Sequence, residues 1–83
     1  MYYIYILKSE KNGRYCIGCC EDLTRRMSQH NKGFVRSTEP YLPWKLIYTE
    51  AFDTLSEARK RETQIKSWKK RSAIEKLIEN KGL

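Results

Sequence analysis

The chain is expected to fold as an α+β domain: a three-stranded antiparallel sheet flanked by helices in two or three layers, in the order β-β-α-β-α-α. Three observations lead there. An aromatic and β-branched run from Tyr2 to Leu7 is followed by Asn12-Gly13 and a second such run from Tyr15 to Gly18. Helical spacing of apolar residues begins only after that, in three separate stretches. Finally, 83 residues suffice for one small core, so residues 1–83 are taken as a single domain.

Asn12-Gly13 marks a hairpin because both residues tolerate the positive φ of a type I′ turn. With those two as the loop, Ser9 faces Cys16, Leu7 faces Gly18 and Tyr5 faces Cys20. Alternation then gathers Tyr3, Tyr5, Cys16 and Gly18 on one face, and Ile4, Ile6, Tyr15 and Ile17 on the other. The first helix opens after Asp22 as N-cap, carries Leu23, Arg26, Met27 and His30 at i, i+3, i+4 and i+7, and stops at Gly33. Residues 34–44 hold two prolines and no periodicity and read as loop, and Lys45 to Glu50 reads as the third strand. Thr54-Leu-Ser-Glu57 is a capping box for a helix from Leu55 to about Trp68, with the stripe Leu55, Ala58, Glu62, Ile65. Ser72-Ala-Ile-Glu75 offers a second capping box, opening a short final helix through Ile74, Leu77 and Ile78.

Lysine and arginine number 17 against 10 acids, a net charge of +7 that favours an anionic partner, nucleic acid first. No apolar run is long enough to span a bilayer, and the N-terminus has neither a basic n-region nor a small-residue cleavage site, so a cytoplasmic protein without a membrane partner is expected. Three cysteines cannot pair completely, and free thiols are expected.

Arg26, His30 and Glu62 all fall on helical stripes that should face inward, where a charge must be paired or used. One reading is an internal Arg26–Glu62 ion pair with a half-buried, satisfied histidine. The other is a site. Phosphodiester cleavage needs a group that orients or deprotonates water, a cation for the phosphate and a carboxylate for a divalent metal. Tyr5, Arg26 and Glu62 are residues of those three kinds.

The ordered series Tyr3-Ile4-Tyr5, hairpin, Cys16-Ile17-Gly18, "EDLTRRMSQHN" and "SEARKRETQIKSW" resembles the GIY-YIG nuclease superfamily, in its small stand-alone bacterial branch. The likeness runs from Tyr2 to Ile78. It implies metal-dependent endonucleolytic cleavage of DNA, with RNA second, of a kind related to repair or recombination and selective for structure, using Mg²⁺ or Mn²⁺. It implies that Tyr5 serves the nucleophilic water, that Arg26 stabilises the phosphate, that His30 assists as acid/base or phosphate contact, and that Glu62 binds the metal. Two positions depart from the family pattern. Tyr3 replaces the glycine of the first half-motif, and Cys16 replaces the catalytic tyrosine of the second.

As a zinc set, Cys16, Cys19, Cys20 and His30 have no second C-x-x-C, and as a redox motif they lack the surrounding β-α-β structure. The basic residues Arg25, Arg36, Lys66, Lys69, Lys70 and Arg71 are candidates for contact with the nucleic-acid backbone. Nothing in the chain reads bases, so selectivity would come from nucleic-acid shape or from a protein partner. Two alternatives stand beside the nuclease: a catalytically weakened nucleic-acid-binding module of the same fold, to which Cys16 points, and a zinc or thiol-redox protein.

Overall fold

β1 (Tyr2–Ser9) is the middle strand of a three-stranded antiparallel sheet, between β2 (Tyr15–Cys20) and β3 (Trp44–Phe52). This is a computed structural model, and it describes residues 1–33, 39–68 and 70–81. The sequence of β1 accounts for its central place. Ile4, Ile6 and Leu7 are fully buried and Tyr5 is 4% exposed, so both faces of the strand are covered, as a continuous apolar run requires. β2 continues two residues beyond Gly18, and β3 begins one residue before Lys45 and ends two after Glu50.

The hairpin register corrects the sequence expectation. Tyr5 pairs with Gly18 and Leu7 with Cys16, a shift of two residues from the pairing that a two-residue Asn12-Gly13 loop dictates. Ser9 is the reason. Its buried hydroxyl accepts the backbone N–H groups of Lys11 and Asn12, while Ser9 N donates to Arg14 O and Gly13 N to Ser9 O. These bonds close a four-residue loop, Glu10 to Gly13, in which only Gly13 needs a positive φ, at 76°. Because the shift is even, the faces stay as expected.

Helices cover both faces, giving three layers. On one side Tyr5, Leu7 and Trp44 pack with Cys16, Cys20, Leu23 and Met27, the last two from α1 (Leu23–Asn31). On the other side Ile4, Ile6 and Tyr48 pack with Ala58 and Ile65 of α2 (Leu55–Ser67) and with Ile74 of α3 (Arg71–Lys81). A bulge in β3 opposite Ile6 and Leu7 lets that strand place Tyr48 on one face and Trp44 on the other. The Asp22 carboxylate caps α1 by accepting Arg25 N, and Gly33, at φ 78°, follows its end. Thr54 caps α2 by accepting Glu57 N, and its hydroxyl donates to the Glu57 carboxylate. α3 begins at Arg71, so Ser72 lies inside its first turn and is not the expected cap. The stretch read as loop holds a 3₁₀ turn at Glu39–Tyr41 and a cis Leu42–Pro43 peptide.

The register lays the Tyr5 ring across Gly18. A Cβ on residue 18 would stand 2.6 Å from Tyr5 Cζ and closer still to its hydroxyl oxygen. Glycine is therefore required there by the tyrosine and not by its own backbone. Gly18→Ala is expected to push the ring off the strand at a cost of about 1–3 kcal/mol, read as a lower urea midpoint. An unchanged midpoint would show that the ring does not rest on Gly18 in solution.

Candidate active site

Tyr5 lies over the outer strand β2, and α1 closes on it from the same face. Its hydroxyl is 3.3 Å from His30 Nε2, and the two rings meet edge-on at 5.9 Å between centroids. His30 is 3% exposed and ends the inward stripe of α1, one helical turn beyond Arg26, which is half-buried. Burial of a phenol and an imidazole side by side moves both away from their charged forms. For Tyr5, burial comes first, Cys16 and Glu62 add to it, and Arg26 opposes, so the phenol is held well above its usual pKa. For His30, burial and then the positive charge of Arg26 hold the imidazole below its usual value. Both are neutral at pH 7.

Glu62 approaches from the other face. α2 packs against β1 and β2, and the half-buried Glu62 carboxylate accepts a hydrogen bond of 2.6 Å from Lys66 Nζ, one turn later on the same helix. Burial works against its charge, but the bonds from Lys66 and from the Cys19 thiol, with Arg59 nearby, outweigh burial and keep the carboxyl below the ordinary carboxylate range. The expectation of an Arg26–Glu62 ion pair is thus replaced. Glu62 pairs with Lys66, and among the described residues Arg26 forms no ion pair.

Tyr5 and Cys16 feel both Arg26 and Glu62, and this marks the centre of the cluster. Burial raises the Cys16 pKa most, so a short, protonated thiol stands where the resemblance has a phenol. The three cysteines are free, and they do not converge. Cys16 and Cys20 pack toward α1, Cys19 toward α2. Among the described residues, no three His, Cys, Asp or Glu side chains gather into a cage for a metal ion. A single ionised, half-buried carboxylate still suits a hard cation such as Mg²⁺, which keeps its waters and takes further oxygens from a bound phosphate. Glu62 fits that role, and Lys66 is its present counter-charge.

The remaining basic candidates separate. Arg25 and Arg26 line a shallow recess with Cys20, Glu21, Asp22 and Gln29 at the start of α1. Lys66, Lys70 and Arg71 line another, with Arg14 and Tyr15 of the hairpin. Arg36 and Lys69 lie outside the described residues. Sequence reasoning missed Arg14, for which the hairpin gave no signal, and it missed Lys66 as the partner of Glu62, although their i, i+4 spacing was legible. Arg61, adjacent to Glu62, does not enter the cluster. Its guanidinium holds both carboxylate oxygens of Glu50 on β3, at 3.1 Å each, donates to Gln64 at 2.9 Å, and lies 5.7 Å from the centroid of the Trp68 ring.

Known proteins resemble this chain over nearly all of its length. The family model of the GIY-YIG catalytic domain matches residues 1–77. A UPF0213 protein of Staphylococcus saprophyticus is 38% identical over 79 residues, spanning 94% of this chain and 95% of its own. A UPF0213 protein of Streptococcus pneumoniae is likewise 38% identical over 79 residues, spanning 94% of this chain and 79% of its own. The solution NMR structure of a UPF0213 protein from Bacillus halodurans superimposes with a TM-score of 0.63 at 32% identity, covering 99% of this chain and 87% of that one. Matched by the family model from the first strand into the last helix, and at full length by small UPF0213 relatives, the chain belongs to the GIY-YIG family.

Proposed function

We propose that the protein is a metal-dependent endonuclease that hydrolyses phosphodiester bonds in nucleic acid, DNA before RNA, acting by structure and not by base sequence. The observation that carries this reading is the buried Tyr5 hydroxyl on His30 Nε2, between Arg26 on one face and Glu62 on the other. The raised pKa of Tyr5 makes a free phenolate the wrong species for a base at pH 7. A neutral pair works instead. With Nε2 bare, His30 accepts the proton of the Tyr5 hydroxyl, and the Tyr5 oxygen can then accept from an attacking water. Arg26 takes up charge on the phosphate oxygens. Glu62 would hold a Mg²⁺ or Mn²⁺ ion, which supplies charge neutralisation at the phosphate and the leaving oxygen. The net positive charge draws the polyanion in, and shape, or a protein partner, sets the substrate.

A second reading, the catalytically weakened binding module, rests on Cys16. A thiol is too short and too weak a donor to stand in for a phenol. A labelled panel of single-stranded, duplex, flap and branched DNA and RNA with Mg²⁺ or Mn²⁺ separates the two. Cleavage of any member supports the nuclease. Binding without cleavage supports the module.

Glu62→Gln is expected to abolish cleavage while leaving stability within about 0.5 kcal/mol, since it breaks a one-turn pair whose lysine is about half exposed and leaves an amide oxygen that still accepts from the Cys19 thiol. A large drop in melting temperature in metal-free protein would mark Glu62 as structural. Cys16→Tyr is expected to raise cleavage about ten- to a thousandfold without tightening binding, and Tyr5→Phe in that background to lose the gain. If Cys16→Tyr folds and cuts no faster, the missing phenol is not what limits the site.

The pH dependence follows from His30. Its folded pKa is below the unfolded value of 6.5, so the stabilisation from keeping it neutral is whole above 6.5 and is lost as pH falls through the lower folded value. Cleavage should persist just below pH 6.5 and fall further into acid, with stability declining in the same window. His30→Gln should remove the acid decline in stability over that window. An acid limb centred above 6.5 would contradict a buried, neutral His30.

A further inference from the structure

Lys66 stands between two places that attract cations and anions in turn. Its ammonium is bonded to Glu62, yet its side chain is 53% exposed and the rest of it lines the recess formed with Arg14, Tyr15, Lys70 and Arg71. That recess, about 410 Å³, lies between the hairpin and the start of α3, on the α2 side of the outer strand. Arg71 reaches over the Tyr15 ring at 4.9 Å and is tied to Glu75 through Nε, which leaves its terminal nitrogens directed toward the hairpin at Gly13. Lys66, Lys70 and Arg71 line the recess beside the Tyr15 ring, with Arg14 at its hairpin edge, where its guanidinium lies over Tyr41 at 4.6 Å. These cations form a receptacle for a phosphate, and the wall it shares with Glu62 is Lys66.

We propose that this recess is a subsite for a backbone phosphate beside the one that is cut, and that Lys66 exchanges Glu62 for that phosphate when nucleic acid is seated. The inference rests on the nuclease reading above. It adds an order to it: in the free protein the lysine neutralises Glu62 and competes with a divalent cation, and in the complex the neighbouring phosphate draws the lysine away and opens the carboxylate. Metal and nucleic acid are then positively coupled, each tightening the other by the same factor. A long, flexible ammonium is suited to such an exchange, where a planar guanidinium held in a fork is not.

The test is Mn²⁺ binding to the full chain by electron paramagnetic resonance, with and without a short phosphorothioate duplex that resists cleavage. Glu62→Gln serves as the blank for Mn²⁺ held by the duplex itself. In the parent, duplex should tighten Glu62-dependent Mn²⁺ binding about fivefold or more, the lower range of allosteric coupling. Lys66→Met should bind Mn²⁺ more tightly than the parent without duplex, and should gain less from duplex than the parent does, since only ligation by the phosphate itself remains. The double variant Lys70→Gln, Arg71→Gln should show only the smaller gain of Lys66→Met when saturated with duplex, with its duplex-free Mn²⁺ affinity that of the parent. Equal Mn²⁺ affinities in parent and Lys66→Met, with Glu62→Gln still abolishing the binding, would overturn the exchange and leave the metal reading standing. Absence of Glu62-dependent Mn²⁺ binding in parent and Lys66→Met alike, with or without duplex, would overturn both.

Discussion

The placement of Tyr5 on Gly18 governs the rest of the structure. A tyrosine in the central strand of a sheet covered on both faces would ordinarily have no outlet for its hydroxyl. Here the bare glycine opposite lets the ring lie down across the outer strand, and the hydroxyl ends against His30. From this one contact follow the neutrality of both groups, the burial of His30 near the C-terminal end of α1, and a cluster built at the margin of the sheet. Because β2 has a neighbour on one side only, α1 and α2 on opposite faces can both act on the same few atoms. Arg26 and Glu62 are set on either side without meeting, and neither neutralises the other.

The sequence RETQ shows how a helix can divide its labour between adjacent residues. Arg61 points to β3 and is fixed there by Glu50, whose carboxylate also receives the Tyr48 hydroxyl. Glu62, about 100° further round the helix, points to β2. The half-buried arginine is worth more for orientation than for stability, since pairs of this kind offset much of their attraction by desolvation. It sets the rotation of α2 about its axis, and that rotation determines whether the next residue reaches β2.

Much of this was legible in the residues. The order of elements along the chain, the caps Asp22 and Thr54, and the three polar side chains on inward stripes follow from periodicity and local hydrogen-bonding chemistry. Arg26 and Glu62 were readable as either an ion pair or a site, because periodicity gives the face of a helix and not the partner across it. The hairpin register was misread because Asn12-Gly13 is a strong turn signal, whereas the winning term was a serine hydroxyl three residues earlier that only a buried Ser9 can supply. The face of each side chain survived that error because the slip was even. Lys66 was read only as a candidate contact for the nucleic-acid backbone. Its bond to Glu62 needed the knowledge that Glu62 is half-buried, and sequence alone does not give burial of a polar residue.

The strand order also constrains how the chain can be built. β1 leaves the ribosome first, yet it is the strand with two partners, and its second partner ends only at Phe52. The hairpin can close locally, but Ile4 and Ile6 stay uncovered until α2 has been made, and a lone two-stranded ribbon is at best marginal in water. Contacts between the first ten residues and those beyond residue 44 give this small domain a high share of non-local pairing, the condition that slows folding and leaves apolar strand exposed on the way. Within this domain, synthesis therefore delivers the Tyr5 phenol well before the Glu62 carboxylate, and the two cannot meet until α2 has been made.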